Sequence, residues 1–349
     1  MSFDPNGVGV ANGNIFGFPV DETSADLVIL PIPWDVTASY GKGTSRGPQA
    51  ILEASTQLDF YHPQLPKAYE TKVYMAPIST EWLEINDELN QASPAYFRDL
   101  ETIGEAASLE KHRELVASIN EAHGALTSNL QERVNALLSQ GKTVAIVGGE
   151  HSTPLGLIQA LDAHHDAFSV LQIDAHADLR KAYEGFEQSH ASIMYNVVNR
   201  CQNLHHLVQL GIRDVSEAEV LFAASHPKIK TFYDWQLKSN EFKGTSWDQQ
   251  CDNILEELSE KVYISFDIDG LYPYLCPHTG TPVAGGFSLE HISYLLFKLV
   301  GSGKSIIGFD LNEVSPGSDG DWDANVGARA LWQLVCASEL SRRKHVREN

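Results

Sequence analysis

Short apolar, β-branched runs alternate with helix-patterned segments along most of this 349-residue chain, and that alternation limits the folds open to it. Strand-like runs fall at residues 26–33, about 72–75, 143–147, 169–173, 206–210, 229–232, 262–266 and 305–310. Helical patterns fall at 49 to about 58, about 110–140, 154–163, 192–201, 217–224, 247–258, 289–300 and 327–342. Parallel strands need helical crossovers, and the crossovers cover both faces of the sheet. The pattern therefore predicts an α/β fold, a three-layer αβα sandwich with a mostly parallel central sheet. With no repeat, low-complexity tract or linker, residues 1–349 read as a single domain. Residues from about 63 to 109 read as an irregular, acidic and polar excursion from the core, with a strand near 72–75.

Ligands in such sheets sit beyond the carboxyl ends of the strands. Two of those ends are rich in aspartate. Asp174-Ala-His176-Ala-Asp178 follows Ser169-Val-Leu-Gln-Ile173, and Asp267-Ile-Asp269 follows Val262-Tyr-Ile-Ser-Phe266. Same-face positions of an extended chain are two apart, so each motif aims its acids, and His176, one way. So much negative charge at the rim of a core is costly unless cations neutralise it. A solvated loop with helix-capping aspartates is the bland alternative for either motif alone; together they point to two divalent metals. Oxygen and imidazole donors suit manganese, iron, nickel or zinc. A third strand end adds Gly148-Gly-Glu150-His151, whose glycines permit a sharp turn and close backbone approach.

Charge and cysteine use narrow the classes further. Against 46 acidic side chains stand 25 basic ones, a formal charge of −21, which repels nucleic acid and anionic membranes. No apolar stretch has the length of a membrane span and the N-terminus lacks a signal-peptide pattern, so a cytoplasmic location is expected. Cys201, Cys251, Cys276 and Cys336 are dispersed, without a CxxC pair, and read as reduced thiols.

Matched together, the motifs resemble those of the ureohydrolases, the family of arginase, agmatinase and related guanidino or amidino hydrolases. The resemblance rests on Gly148–Ser152, Asp174–Asp178, Ser265–Gly270, Thr279–Gly286 and Phe309–Pro316, with Gly41–Pro48 as an N-terminal signature, and covers roughly residues 25–340. It implies two Mn2+ ions per chain, with Ni2+ as the runner-up. One ion would take His151, Asp174, Asp178 and Asp267, the other Asp174, His176, Asp267 and Asp269, so that Asp174 and Asp267 bridge. Four carboxylates balance two divalent ions, and ions about 3.5–4 Å apart share one water, whose hydroxide form is the expected nucleophile.

His190 lies where the family places a catalytic histidine, and Glu313 where it anchors a guanidinium; without the resemblance they read as a solvated histidine and a loop acid. The implied partner is a small guanidino substrate, and the implied assembly a homotrimer or homohexamer. Ser216 stands where arginase has an aspartate for the substrate's α-amino group, and Glu150 and the segment Asp178–His190 look more like agmatinases, so agmatine is the expected substrate. Val283-Ala284 is closer to arginase, and Arg180 could instead meet a carboxylate; arginine or another guanidino or formimino acid is the alternative. Tyr272 and Cys276 depart from the family pattern in the loop behind Asp269. A mononuclear zinc deacetylase needs no bridging pair, and a catalytically idle assembly subunit would be expected to have lost a ligand, His190 or Glu313.

Overall fold

The structure, a computed structural model, describes residues 3–318 and 320–348. In chain order the elements are β1 (Leu27–Ile32), α1 (Gly47–Ser55), β2 (Val73–Met75), α2 (Thr80–Ala92), α3 (Pro94–Ile103), α4 (Glu105–Lys111), α5 (Arg113–Leu138), β3 (Thr143–Gly148), α6 (Leu155–His164), β4 (Phe168–Ile173), α7 (Ile193–Arg200), β5 (Leu204–Ile212), α8 (Glu217–Ser225), β6 (Ile229–Tyr233), α9 (Asp234–Phe242), α10 (Trp247–Glu256), β7 (Lys261–Asp267), α11 (Leu289–Gly301), β8 (Ser305–Asn312) and α12 (Trp322–Glu348). All the anticipated strands are present, and they form one 8-stranded sheet in the order β2-β1-β3-β8-β7-β4-β5-β6. Every pairing is parallel, so the sheet is wholly rather than mostly parallel.

The strand sequences explain the layering. Leu27 and Ile29 of β1 enter one apolar core with α1, α11 and α12, while Val28, Leu30 and Ile32 enter the other with α5, α6 and α7. Successive side chains point to opposite faces, and both faces are covered, so the strands read as near-continuous apolar runs. At 25–30 cal/mol per Å2 of apolar surface, each buried Leu, Ile, Val or Phe is worth about 1.5–3 kcal/mol before ordering costs.

The excursion is more regular than its composition suggests. Besides β2, it contains α2, α3 and α4, and His112 separates α4 from the long helix, which begins at Arg113 rather than near residue 110. Ser79 starts α2 by accepting a hydrogen bond from Trp82 N, and Pro94 suits the start of α3. Helix α9 was likewise not anticipated.

The four central strands β3, β8, β7 and β4 set the position of the site. Val147, Leu311, Phe266 and Ile173 lie on one level across them, so the residues that follow, Gly148, Asn312, Asp267 and Asp174, share the carboxyl rim. From β3 the chain jumps over β8 and β7 to reach β4, so the rim lies where the strand order reverses.

Candidate metal centre and substrate pocket

Three aspartates converge on one imidazole. His151 Nδ1 lies 2.9 Å from Asp174 Oδ2, 3.1 Å from Asp178 Oδ2 and 3.4 Å from Asp267 Oδ2. His176 Nδ1 lies 3.0 Å from Asp269 Oδ2 and 3.6 Å from Asp174 Oδ1. Two groups with ligand atoms within 4.8 Å of one another result among the described residues: His151, Asp174 and Asp267, and Asp174, His176 and Asp269. They share Asp174. Asp267 falls only in the first group, and Asp178 in neither, although it closes on His151. All six anticipated ligands thus meet at one place, and all are buried except the partly exposed His176.

The surroundings orient these donors for a cation. His151 Nε2 is 2.8 Å from Ser265 Oγ, and that hydroxyl donates to Asp310 Oδ1 at 3.1 Å. The serine proton being used on Asp310, its oxygen accepts from Nε2–H, and the lone pair of Nδ1 faces the carboxylates. Although buried, Nδ1 makes no hydrogen bond. A lone pair aimed at carboxylate oxygens is repulsive until a proton or metal ion lies between them, so the donor set fits a divalent ion. Burial opposes charging the ring, yet the Asp174, Asp178 and Asp267 carboxylates hold the pKa of His151 well above its ordinary value. Burial, with the charge of Asp174, pushes Asp178 up to about 7.

Backbone geometry serves the same end. Asp178 and Glu313 both adopt left-handed conformations, with φ of 55° and 64°, uncommon for residues other than glycine and concentrated at functional sites. Gly149 is required where it stands: a Cβ there would come 1.9 Å from the carbonyl oxygen of Trp34.

A cavity of about 310 Å3 opens above the carboxylates, and His190 and Glu313 both line it. Glu313 Oε1 accepts a 2.8 Å hydrogen bond from His151 N, and burial together with Glu150 raises its pKa well above the usual carboxylate range. His190 stands on a short turn before α7, its Nδ1 3.5 Å from Thr37 Oγ1 and its ring edge-on to Tyr183 at 5.6 Å. Burial, reinforced by His176, lowers its pKa to about 3. At the mouth, Arg180 lies 4.9 Å over the Tyr183 ring with Nε 3.7 Å from Glu219. Ser216 also lines the cavity, but its hydroxyl is engaged in the capping box of α8, 2.6 Å from Glu219 Oε2.

Several contributors escaped the sequence reading. Ser265 and Gln172, which donates to Asp174 Oδ2 at 2.9 Å, each lie two residues before an aspartate ligand candidate, a same-face spacing that could have revealed both. Thr37, Tyr183 and Asp310 carry no such signal.

A family model described as the Arginase family matches residues 25–337. The chain belongs to the arginase family. It is 31% identical over 307 residues to an N(1)-aminopropylagmatine ureohydrolase of Thermus thermophilus, covering 88% of each chain. Similarity to an agmatinase of Klebsiella pneumoniae is 28% over 323 residues, 88% of this chain and 87% of the relative. Among solved structures, the agmatine ureohydrolase of Thermoplasma volcanium superposes with a TM-score of 0.71 at 22% identity, covering 95% of this chain and 96% of that one. Formiminoglutamase of Trypanosoma cruzi with Mn2+ gives 0.69 at 18% identity, covering 92% and 96%. As an arginase-family ureohydrolase, the chain is an enzyme acting on linear amidines, and its family uses a binuclear manganese site. No helix among the described residues is long and apolar enough to cross a membrane.

Proposed function

We propose that this enzyme hydrolyses agmatine to putrescine and urea, with two Mn2+ ions held by His151, Asp174, His176, Asp178, Asp267 and Asp269. The observation that carries the reading is the pair of His/Asp groups sharing Asp174 at the base of a cavity that Glu313 and His190 also line. When bound, the two ions supply Lewis acidity and a water acidified for attack at neutral pH.

The protein's own groups do the rest. Glu313 receives the guanidinium through two parallel charge-assisted hydrogen bonds, and the arriving cation restores the ionised carboxylate that burial disfavours. Its anchoring by His151 N holds the guanidinium carbon beside the carboxylate cluster. His190, which lies beside Thr37 and Tyr183 and is neutral at rest, takes the proton that the attacking water gives up and relays it to the nitrogen that leaves as the product amine. The C–N bond breaks, water's oxygen stays on carbon as urea, and the amine departs.

Ser216 supports a substrate without an α-amino acid head, because its hydroxyl is occupied by Glu219 and carries no charge to hold an α-ammonium. The agmatinases and aminopropylagmatine ureohydrolases among its relatives support the same choice. One observation favours a second reading, a guanidino acid: Arg180 lines the mouth and its guanidinium makes no hydrogen bond among the described residues, which leaves its donors free for a carboxylate. Urea release from agmatine, arginine and 4-guanidinobutyrate under equal manganese loading tests the proposal. Agmatine should give the highest kcat/KM; a preference for either acid overturns the substrate and leaves the metal chemistry in place. We further place the enzyme in the cytoplasm as a homotrimer or homohexamer; light scattering on the purified protein tests the assembly.

A further inference from the structure

The segment Tyr183-Glu184-Gly185-Phe186 is a tight hairpin at the pocket mouth. Tyr183 N donates to Phe186 O at 3.1 Å and Phe186 N to Tyr183 O at 2.9 Å, and both central residues are left-handed, with φ of 52° and 78°. Such a turn places its flanking side chains firmly, but Glu184 is strained there and needs outside support. That support comes from the helical excursion. Tyr96 Oη of α3 donates to Glu184 O at 2.6 Å, and Asn120 of α5 donates to Gly185 O and accepts from Glu187 N, each at 3.0 Å. Phe186, fully buried, lies edge-on to Tyr96 at 5.8 Å. Gly185 is pressed so closely that a Cβ would meet Leu109 of α4 at 2.3 Å.

The same helices grip a second loop, residues 35–46. Asn86 and Asn90 of α2 hold Asp35, by hydrogen bonds of 2.8 Å to its amide and 2.6 Å to its carboxylate. Lys42 bridges Asn90 to the carbonyls of Asp35 and Val36, and Arg46 pairs twice with Asp87. Thr37, in the same loop, lies 3.5 Å from His190 Nδ1, and the His190 ring is edge-on to Tyr183 of the hairpin.

We propose that α2–α4, with the start of α5, form a brace that holds these two loops together and fixes Tyr183 as the wall against the substrate's aliphatic tail, making Tyr96 a positioning residue. The direction of the tail rests on the ureohydrolase reading. Glu313 and the carboxylates are buried at the floor, whereas Arg180 and Asp214 are exposed at the mouth, so a guanidinium on the floor sends its tail past Tyr183.

Tyr96→Phe removes one part-buried hydrogen bond and keeps the ring. It should raise KM for agmatine roughly 3–10-fold, the scale of one such bond, with kcat changed less than KM and metal content close to wild type. Tyr183→Ala should raise KM at least as much, and adding Tyr96→Phe to it should raise KM little further, because both act through one contact. Hydrogen exchange at amides 182–187 should quicken in Tyr96→Phe. Unchanged KM, a fall in kcat alone, or full additivity in the double variant overturns the brace. If wild-type protein releases urea from no guanidino compound, the functional reading fails instead; exchange then decides alone, and unaltered protection at 182–187 overturns the brace.

Discussion

Asp174 belongs to both His/Asp groups, and each of its oxygens faces a different imidazole. Replacing it by alanine should therefore weaken both ions at once, whereas Asp269→Ala should loosen mainly the ion beside His176. Metal analysis after dialysis reads this as near-complete loss against partial loss; comparable content in Asp174→Ala and wild type would remove Asp174 from the centre. His190 is a different case. It lines the cavity without joining either group, so His190→Ala should keep both ions and slow turnover by roughly 10²–10⁴-fold, the scale of a lost acid–base group. Near-intact turnover would give the proton transfer to another group. At this scale the sequence was legible wherever chemistry follows local spacing: Asp174, His176 and Asp178, or Asp267 and Asp269, alternate on a chain leaving a strand. Thr37 and Tyr183 were not, since they reach His190 only through the packing of two distant loops.

Legibility at the level of elements follows burial in the same way. The strands are covered on both faces, so their apolar runs stand out, and all were located to within a few residues. Helices α2 and α3 bury only part of a face: Trp82, Ile85, Leu89, Phe97 and Leu100 are partly covered, and the fully buried residue of α2 is polar Asn86. A segment that packs on loops through asparagines offers no clean apolar period. Helix α9 leaves Trp235 and Phe242 exposed, which blurs its pattern too. The long helix α5 carries a testable consequence. His123 is buried with its ring 5.5 Å from Trp34, and burial lowers its pKa from 6.5 to about 4. Between those values the unfolded chain binds the proton and the folded one does not, so this contribution to stability is complete above pH 6.5 and shrinks as pH falls toward 4. The slope is at most about 1.4 kcal/mol per pH unit. Urea denaturation at pH 7 and pH 5 should show a larger loss for wild type than for His123→Leu; equal losses would mean that His123 is charged when folded.

Across the whole molecule, the parallel sheet and its strand order bring the ends of β3, β8, β7 and β4 to one rim, and the acids there account for part of a formal charge of −21. The architecture was legible because alternation and right-handed crossovers leave few ways to arrange such a chain. What the pattern could not supply was the contact of α2 and α3 with the loops that carry Asp35 and Glu184. The central claim is that the rim holds two ions which work together on a guanidino group. Its most direct test is titration of chelated enzyme with Mn2+ while urea release from agmatine is followed. Activity should rise to a break at two ions per chain; a break at one ion, or no urea at any loading, would contradict it.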